Sequence, residues 1–152
     1  KTLAFGKGQD LVIRQIEMRA AELCGYPAEN VEPLQIVSYT DGEKYDLHHD
    51  AGRFTVDRSS DVEGDGVVDH VERPYRLATI FVYLDTLPND VGCTYFPRAK
   101  MSFTPKVGTA LLWANFTPDG DADPRVVHEA LPVPAPHRKL GLNVWVTDQS
   151  YQ

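Results

Sequence analysis

Hydrophobic and polar residues alternate with a helical period near the start of the chain. From Asp10 to about Leu23, apolar residues alternate with charged and polar ones closely enough to a 3.6-residue period to give one buried face. The apolar positions are Leu11, Ile13, Ile16, Met18, Ala20 and Leu23. Asp10 can accept hydrogen bonds from the first free backbone amides, and Gly25 can adopt the left-handed conformation that ends many helices. The pattern therefore predicts one amphipathic helix with one buried face.

The rest of the chain carries short apolar or alternating runs that are typical of β-strands. Gly, Pro, Asn and Asp separate these runs and mark the turns between them. A series of short strands after a single helix predicts a mainly β fold, a sandwich or barrel with the helix packed outside it. The predicted strands cover residues 34–39, 77–84, 109–114, 125–131 and 140–147.

The longest stretch without a regular hydrophobic pattern covers residues 51–75 and is rich in Asp and Gly. A segment of this length without regular structure is usually functional or disordered in a small domain. Because it directly follows a group of metal-ligand residue types, we interpret it as a mobile lid over a metal site. An insertion without function is the alternative.

Composition limits the classes of function. The 152 residues suffice for one domain with a real core, since 42% of them are hydrophobic. The formal charge of -7 and the lack of a Lys/Arg cluster argue against a nucleic-acid partner. The longest apolar runs, such as residues 107–116, fall short of the roughly 20 residues that span a membrane.

The first residues contain neither an initiator methionine nor the apolar core of a signal peptide, so we expect one domain of a longer protein. The two cysteines, Cys24 and Cys93, could pair or stay reduced. Two cysteines do not decide between the endoplasmic reticulum and the cytoplasm. We interpret Cys24 as a small buried hydrophobic residue at the helix end.

Candidate chemistry is concentrated in residues 45–54, YDLHHDAGRF, which place two histidines and an aspartate side by side. Imidazole and carboxylate together suit iron, zinc, copper or nickel, whereas carboxylates alone favour magnesium or calcium. A third ligand is required, and the remaining histidines are His70, His128 and His137. His128 lies in a predicted strand, where a histidine taken alone is more often a core residue.

A longer series of residues extends from Leu34 to Trp145 in a characteristic order. The series comprises Tyr39, Tyr45, His48, Asp50, Arg76, Thr79, Tyr83, 92-GCTYFP-97, 105-PKVGTALLW-113, His128, Pro132, Val133, Lys139, Asn143 and Trp145. This order resembles the prolyl 4-hydroxylases, which are Fe(II)- and 2-oxoglutarate-dependent dioxygenases. A lone H-x-D pair occurs by chance in many proteins, but the ordered series is specific. The resemblance implies a double-stranded β-helix, or jelly roll, supported by the N-terminal helix.

By this resemblance His48, Asp50 and His128 are the iron ligands, and His49 points the other way on the strand. Two imidazoles and one carboxylate on one face of an octahedral iron leave three adjacent positions open, which dioxygen and a bidentate keto acid can share. The strands that carry His48 and His128 must then be neighbours, which the non-local pairing of a jelly roll allows.

The resemblance also implies a pocket for 2-oxoglutarate. The second carboxylate of the keto acid needs a buried cation, and the family position for it is Lys139, four residues before Asn143. Hydroxyl groups of Tyr39 and Thr79 are expected to assist. Tyr83 shares a strand face with Thr79 and either binds the cofactor or packs. Without the resemblance, the lysine would be interpreted as an exposed charge at the start of a strand.

The implied reaction couples decarboxylation of 2-oxoglutarate to hydroxylation of a proline ring carbon, with O2 as co-substrate and ascorbate as the expected reductant. Tyr45, Trp145 and Arg53 are the candidate contacts of a proline-containing peptide. Such peptides favour an extended polyproline II form, which aromatic grooves accept at low entropic cost. Core packing is the alternative role of the two aromatic residues.

Two features depart from the family pattern. The spacing from His128 to Lys139 is eleven residues, where the family has ten, so we expect one extra residue in the turn. In residues 91–94, VGCT, Cys93 replaces the acidic residue of the family's G-G-E-T, which is expected to alter packing or substrate recognition. Neither change touches a ligand.

Three classes of function stay open. The leading hypothesis is an oxygenase that hydroxylates peptidyl proline, and the second is an oxygenase of the same fold that acts on another side chain or a small molecule. The third is a non-enzymatic or zinc-binding β-barrel module. The three ligands together with Lys139 argue against the third class, because a binding module needs no buried cation for a keto acid.

Overall fold

The computed structural model describes residues 1–71 and 73–151, which form two antiparallel sheets, a separate hairpin and one helix. The larger sheet contains, in spatial order, β1 (Thr2–Ala4), β2 (Gln35–Thr40), β11 (Arg138–Thr147), β6 (Arg76–Tyr83) and β9 (Ala110–Ala114). The smaller sheet contains β3 (Tyr45–His48), β10 (His128–Ala130), β7 (Thr94–Phe96) and β8 (Met101–Phe103). The other elements are α1 (Leu11–Cys24), the hairpin of β4 (Gly52–Val56) and β5 (Gly66–Val71), and two 3-10 turns, Ala28–Asn30 and Pro124–Val126.

The predicted mainly β fold with one helix is confirmed. Each sheet joins strands that are far apart in sequence, and all of its pairs are antiparallel. The two sheets pack against each other through aromatic side chains, with Phe81 and Trp113 from the larger sheet and Phe96 from the smaller. This arrangement is that of a jelly roll.

Side chains on the two faces of the central strands of the larger sheet pack into two different layers. Leu142 of β11 and Ile80 of β6 face helix α1 and form an apolar cluster with Ile13 of the helix. Phe81 and Tyr83 of β6 face the smaller sheet instead. Because successive side chains of a strand point to opposite faces, the same strands build both the core and the interior between the sheets.

Helix α1 begins and ends as the sequence predicts. The Asp10 side chain accepts a hydrogen bond from the backbone amide of Ile13 at 2.9 Å, which caps the first turn. Gly25 ends the helix in the left-handed conformation, with φ of 74°. Within the part of the chain that the structure describes, no helix is long and apolar enough to cross a membrane.

The pairing of β3 with β10 joins two distant parts of the chain. His48 and His128 are direct partners in this antiparallel pair. The strands that carry them are therefore neighbours, as the sequence predicts, and both imidazoles start from fixed backbone positions.

The prediction that residues 51–75 lack regular structure is wrong. Strands β4 and β5 pair in an antiparallel hairpin within this segment, of which Glu72 lies outside the described residues. Across the hairpin, Asp69 accepts hydrogen bonds from Arg53 Nε at 2.7 Å and from Thr55 Oγ1 at 3.0 Å. Polar cross-strand contacts of this kind leave no hydrophobic alternation in the sequence, and so the strands were not predicted.

The predicted strand at residues 125–131 is too long. Its first part forms the 3-10 turn Pro124–Val126, and only His128–Ala130 is extended. Proline favours this outcome, because its fixed φ suits the first residue of a turn and it cannot donate to a strand ladder.

The two cysteines are not bonded to each other. Cys24 is partly buried at the end of α1, where it packs against the apolar cluster, and Cys93 is buried. The interpretation of Cys24 as a hydrophobic residue agrees with this position, although its burial is incomplete.

Replacement of Gly141 in β11 by alanine should destabilise the fold. A Cβ at this position would clash with Cζ of the buried Phe81 ring, which must then move. Overpacking of this kind costs about 1–3 kcal/mol, measurable as a lower free energy of unfolding in urea. Gly6→Ala is the control, because its nearest atom would lie at 3.7 Å. Equal stability of the two variants would contradict the close packing at Gly141.

Candidate metal centre and cofactor pocket

Three side chains converge at the interior end of the β3–β10 pair. His48 Nε2 lies 3.3 Å from Asp50 Oδ1, and His128 Nε2 lies 3.9 Å from the same oxygen. One potential ligand atom from each of the three residues lies within 4.8 Å of the others. The structure therefore brings together the three ligands predicted from the sequence.

Backbone hydrogen bonds orient both imidazoles. His48 Nδ1 lies 2.9 Å from Asp46 O, and His128 Nδ1 lies 2.9 Å from Val126 O. A carbonyl oxygen only accepts, so each Nδ1 carries the proton and each Nε2 presents its lone pair toward Asp50. A metal-binding histidine usually has its other ring nitrogen held in this way. Two imidazole nitrogens and one carboxylate oxygen fit ferrous iron.

The charge states of the cluster also suit a cation. Burial lowers the pKa of His128 to about 4, so its imidazole is neutral at physiological pH. Burial acts to raise the pKa of Asp50, but His128, His48 and the Thr79 hydroxyl hold it well below its ordinary range. Neutral imidazoles and an ionised carboxylate are the forms that bind a metal.

The two oxygens of Asp50 have different partners. Oδ1 faces the histidines, whereas Oδ2 accepts hydrogen bonds from Thr79 Oγ1 at 2.7 Å and from Trp145 Nε1 at 3.4 Å. The Thr79 hydroxyl thus donates to Asp50, and its expected assistance to the keto-acid carboxylate stays a prediction that this contact does not support. Thr79 pairs with Trp145, six residues along β11 from Lys139.

A cavity of about 730 Å³ extends from the three ligands to Lys139 between the two sheets. Its walls include Phe81 and Trp113 from the larger sheet and Thr94 from the smaller one. A cavity of this size is ample for a small dicarboxylate, since drug-sized ligands occupy pockets of about 300–1,000 Å³.

Lys139 is fully buried at the far end of this cavity, although charge alone would predict an exposed position. Its one hydrogen bond within residues 1–71 and 73–151 is to Thr94 Oγ1 at 3.4 Å, and no carboxylate of these residues forms an ion pair with it. Burial lowers the pKa of Lys139 to about 8. A buried ammonium group without an anion is costly, so this end of the cavity suits a carboxylate ligand.

Aromatic rings and hydroxyls surround the lysine. Its ammonium lies 5.7 Å from the ring centroid of Tyr39, 5.4 Å from that of Phe81 and 5.7 Å from that of Tyr83. The Tyr83 hydroxyl donates to Thr94 Oγ1 at 2.8 Å. Burial raises the pKa of Tyr39 and of Tyr83 to about 12, which keeps both hydroxyls protonated as donors. The sequence reasoning assigned no role to Thr94, although it lies in the GCT motif.

The three predicted substrate contacts lie in different surroundings. Tyr45 is 52% exposed and packs edge-on against His48, with ring centroids 4.3 Å apart. Trp145 is 8% exposed and lies under the Arg76 guanidinium at 3.7 Å, so most of its surface packs within the protein. Arg53 lines the cavity but pairs with Asp69 across the hairpin.

The other histidines stay outside the cluster. His49 is buried and points away from it, with Nε2 3.1 Å from Asp123 O and Nδ1 accepting from the Ala51 amide. His70 lies in β5 of the hairpin, and His137 lies in the turn before β11. The metal group of the described residues contains neither of them.

Comparison with known families identifies this arrangement. A family model described as the 2OG-Fe(II) oxygenase superfamily matches residues 34–147, which include all three candidate ligands and Lys139. The chain belongs to the 2OG-Fe(II) oxygenase superfamily. Members share the jelly-roll fold, so the predicted double-stranded β-helix is confirmed together with the predicted family.

Relatives of this oxygenase carry prolyl 4-hydroxylase names. It is 31% identical to probable prolyl 4-hydroxylase 3 of Arabidopsis thaliana, with 84% of this chain and 46% of that protein covered. It is 32% identical to prolyl 4-hydroxylase subunit alpha-1 of Gallus gallus, with 91% of this chain and 24% of that protein covered. The chain thus spans less than half the length of these curated relatives.

Solved structures give the same answer for the fold. The viral collagen prolyl hydroxylase of Paramecium Bursaria Chlorella virus-1, solved as a 2OG complex, aligns with a TM-score of 0.77 and 25% identity over 99% of this chain and 80% of that chain. A Pseudomonas putida prolyl-4-hydroxylase aligns with a TM-score of 0.64 and 18% identity over 98% of this chain and 72% of that chain. The second similarity concerns the fold alone.

Replacement of Lys139 by methionine should stabilise the cofactor-free oxygenase at pH 7. The pKa of Lys139 is about 8 in the fold against an ordinary 10.5, so below pH 8 the fold bears the full cost of the buried charge. As pH rises from 8 to 10.5, only the unfolded chain keeps the proton, and the wild type recovers stability.

Lys139→Met should raise the free energy of unfolding by an amount on the order of 2 kcal/mol at pH 7, and this increase should become smaller toward pH 10. Urea unfolding at the two pH values measures it. Lys106→Met, at an exposed lysine, is the control and should change little. A Lys139→Met protein that is less stable than the wild type at pH 7 would contradict the account of the buried cation.

Proposed function

We propose that the chain is a catalytic domain that hydroxylates prolyl residues in a peptide or protein and converts 2-oxoglutarate to succinate and carbon dioxide. The observation that supports this most strongly is one cavity with a His, Asp, His cluster at one end and, at the other, a buried lysine that forms no ion pair with the described residues. The names of the relatives support proline as the substrate residue.

His48, Asp50 and His128 would hold ferrous iron, and Lys139 would bind the distal carboxylate of 2-oxoglutarate together with the hydroxyl of Thr94. When bound, the iron and the keto acid supply the oxidative chemistry, in which dioxygen is consumed and one oxygen atom is inserted into a carbon–hydrogen bond. Ascorbate would serve as the external reductant that keeps the iron ferrous.

The protein contributes binding, orientation and exclusion of water. Lys139 and the ligands lie at opposite ends of one cavity, so a dicarboxylate held by the lysine presents its other end to the cluster. The aromatic walls, Phe81 and Trp113, limit the access of water to this space. The cofactor is thereby held in one orientation before the substrate arrives.

Tyr45 marks the side from which a peptide would approach. Its ring is half exposed and touches His48, one of the ligands. A proline ring stacked on this tyrosine would lie beside the metal, and an extended polyproline II chain loses little entropy on binding such a surface. Tyr45 is therefore our main candidate for a substrate contact, with Arg53 of the hairpin close to the same opening.

Incubation of the purified chain with Fe(II), 2-oxoglutarate, ascorbate and proline-rich peptides tests the proposal. Tandem mass spectrometry should locate one added oxygen atom on proline, with succinate formed in equal amount. Asp50→Ala should abolish both products, because the cluster loses its anionic ligand. Thr147→Val, at the end of β11 and outside the cluster, is the control and should remain active.

The outcomes separate the alternatives. The alternative is an oxygenase of the same fold that acts on another side chain or a small molecule. It would be supported by oxidation of a residue other than proline, or by 2-oxoglutarate turnover only with an added small molecule. Full activity of Asp50→Ala would exclude the proposed metal centre altogether.

The β4–β5 hairpin is proposed to close over the bound peptide. Two contacts tie its turn, residues 57–65, to the smaller sheet and the loop that follows β7: Tyr95 donates to Glu63 at 2.8 Å, and Arg98 pairs with Asp65. Both contacts involve partly exposed side chains, so they are weak enough to open and close.

Limited trypsin digestion should cut the hairpin after Arg58, and a proline-rich peptide with an unreactive 2-oxoglutarate analogue should slow that cut. Arg98→Ala should accelerate it, because the turn loses a contact, whereas Arg19→Ala on the exposed face of α1 should not. Cleavage at the same rate with and without the peptide would show that the hairpin is no lid.

A further inference from the structure

The hydrogen bonds behind Asp50 form a directed chain that ends on Asn115. Asn115 directly follows β9 and is fully buried. Its Nδ2 lies 3.1 Å from Thr79 Oγ1, and the Thr79 hydroxyl lies 2.7 Å from Asp50 Oδ2. No part of the sequence series discussed above includes this asparagine, and the metal cluster of the described residues does not contain it.

The direction of this chain follows from the chemistry of its members. Asn115 Nδ2 also lies 3.0 Å from the backbone carbonyl of Arg76, which can only accept, so the amide nitrogen is correctly placed there. Its second hydrogen is then donated to the Thr79 oxygen. The single proton of the Thr79 hydroxyl is left for Asp50, whose ionised carboxylate accepts it.

The same bonds decide which oxygen of Asp50 faces the histidines. Oδ2 is occupied by Thr79 and, more weakly, by Trp145 Nε1 at 3.4 Å. Oδ1 is then the oxygen that lies close to His48 Nε2 and His128 Nε2. If the hydroxyl were free to rotate, the carboxylate could turn and offer either oxygen.

We propose that Asn115 is a positioning residue for the metal ligand Asp50 and acts through the Thr79 hydroxyl. It fixes the direction of that hydroxyl and so holds the carboxylate ready to bind a metal through Oδ1. This inference rests on the proposed metal centre. Partners of this kind, one bond removed from the ligand, typically change metal affinity by about 10–100-fold.

If the Asn115 side chain served only the stability of the fold, its replacement would have a different effect. The backbone of Asn115 already connects β6 to the following loop, since its amide donates to Leu77 O at 2.8 Å and its carbonyl accepts from the Asp123 amide at 2.9 Å. These bonds survive a change of side chain. Loss of side-chain bonds that served only stability would lower the unfolding midpoint without a specific effect on metal binding.

Calorimetric titration of the metal-free chain with cobalt(II), without 2-oxoglutarate, tests the inference together with the unfolding midpoint of each variant. Thr79→Val should weaken cobalt binding by about 10–100-fold, and Thr79→Ser, which keeps the hydroxyl, should recover most of the affinity. Asn115→Leu should weaken binding by about tenfold. If Asn115→Leu does not fold, Asn115→Ala serves as the test variant in its place.

The double variant Thr79→Val/Asn115→Leu separates a chain from two independent effects. If Asn115 acts through Thr79, the double variant binds cobalt no more weakly than Thr79→Val alone. Thr147→Val is the matched control, since this buried hydroxyl lies 2.9 Å from Asn30 O and its loss should lower stability but leave cobalt affinity unchanged.

Cobalt affinity of Asn115→Leu equal to the wild type, or additive losses in the double variant, would overturn the inference while the metal centre stands. A wild-type chain that binds no cobalt would overturn the metal centre itself, and this inference with it.

Discussion

The burial of an ammonium group that has no anionic partner among residues 1–71 and 73–151 is the constraint on which the cavity depends. Lys139 is fully buried in β11, among three aromatic rings and beside one threonine hydroxyl. In a fold selected only for stability, an apolar side chain would serve better at this position. Under the proposed function a dicarboxylate neutralises this charge, and the cost to the empty fold is converted into cofactor affinity.

Strand β11 carries both the buried lysine and part of the apolar core. Its alternate residues Leu142, Val144 and Val146 pack beneath helix α1. The opposite face of the strand carries Lys139 and Trp145, which line the cavity. Burial of the apolar face therefore fixes the register of the strand, and a shift by one residue would turn the lysine out of the cavity. Core packing and the proposed cofactor binding thus depend on the same ten-residue strand.

The sequence alone was sufficient to predict the structural elements that have strong local signals. Helix α1 was predicted from its period and both caps. The three candidate ligands and Lys139 were selected from the ordered series of motifs, and their roles stay predictions. The hairpin β4–β5 was missed because its strands are stabilised by polar cross-strand contacts such as Arg53 with Asp69. Short strands of three or four residues, such as β3 and β7, are likewise too brief for a period to be recognised.

Hydrogen-bond partners depend on register, which the sequence alone does not contain. Thr79 and Tyr83 share one face of β6, but the first reaches Asp50 and the second reaches Thr94 near the lysine. Period-two alternation places both in the interior and does not say which end of the cavity each one lines. Asn115 has no motif signal at all, because its role follows from the neighbours that the fold assembles around it.

The central claim is that one metal at His48, Asp50 and His128 and one keto acid at Lys139 share a single cavity. Anaerobic absorption titration of the purified chain with Fe(II) and 2-oxoglutarate tests it directly, because chelation of iron by the keto acid produces a visible charge-transfer band. The wild type should show this band at one equivalent of each, Lys139→Ala should need 2-oxoglutarate at a concentration higher by about two orders of magnitude, and His128→Ala should show none. A band that is unchanged in both variants would place iron and keto acid elsewhere and contradict the account.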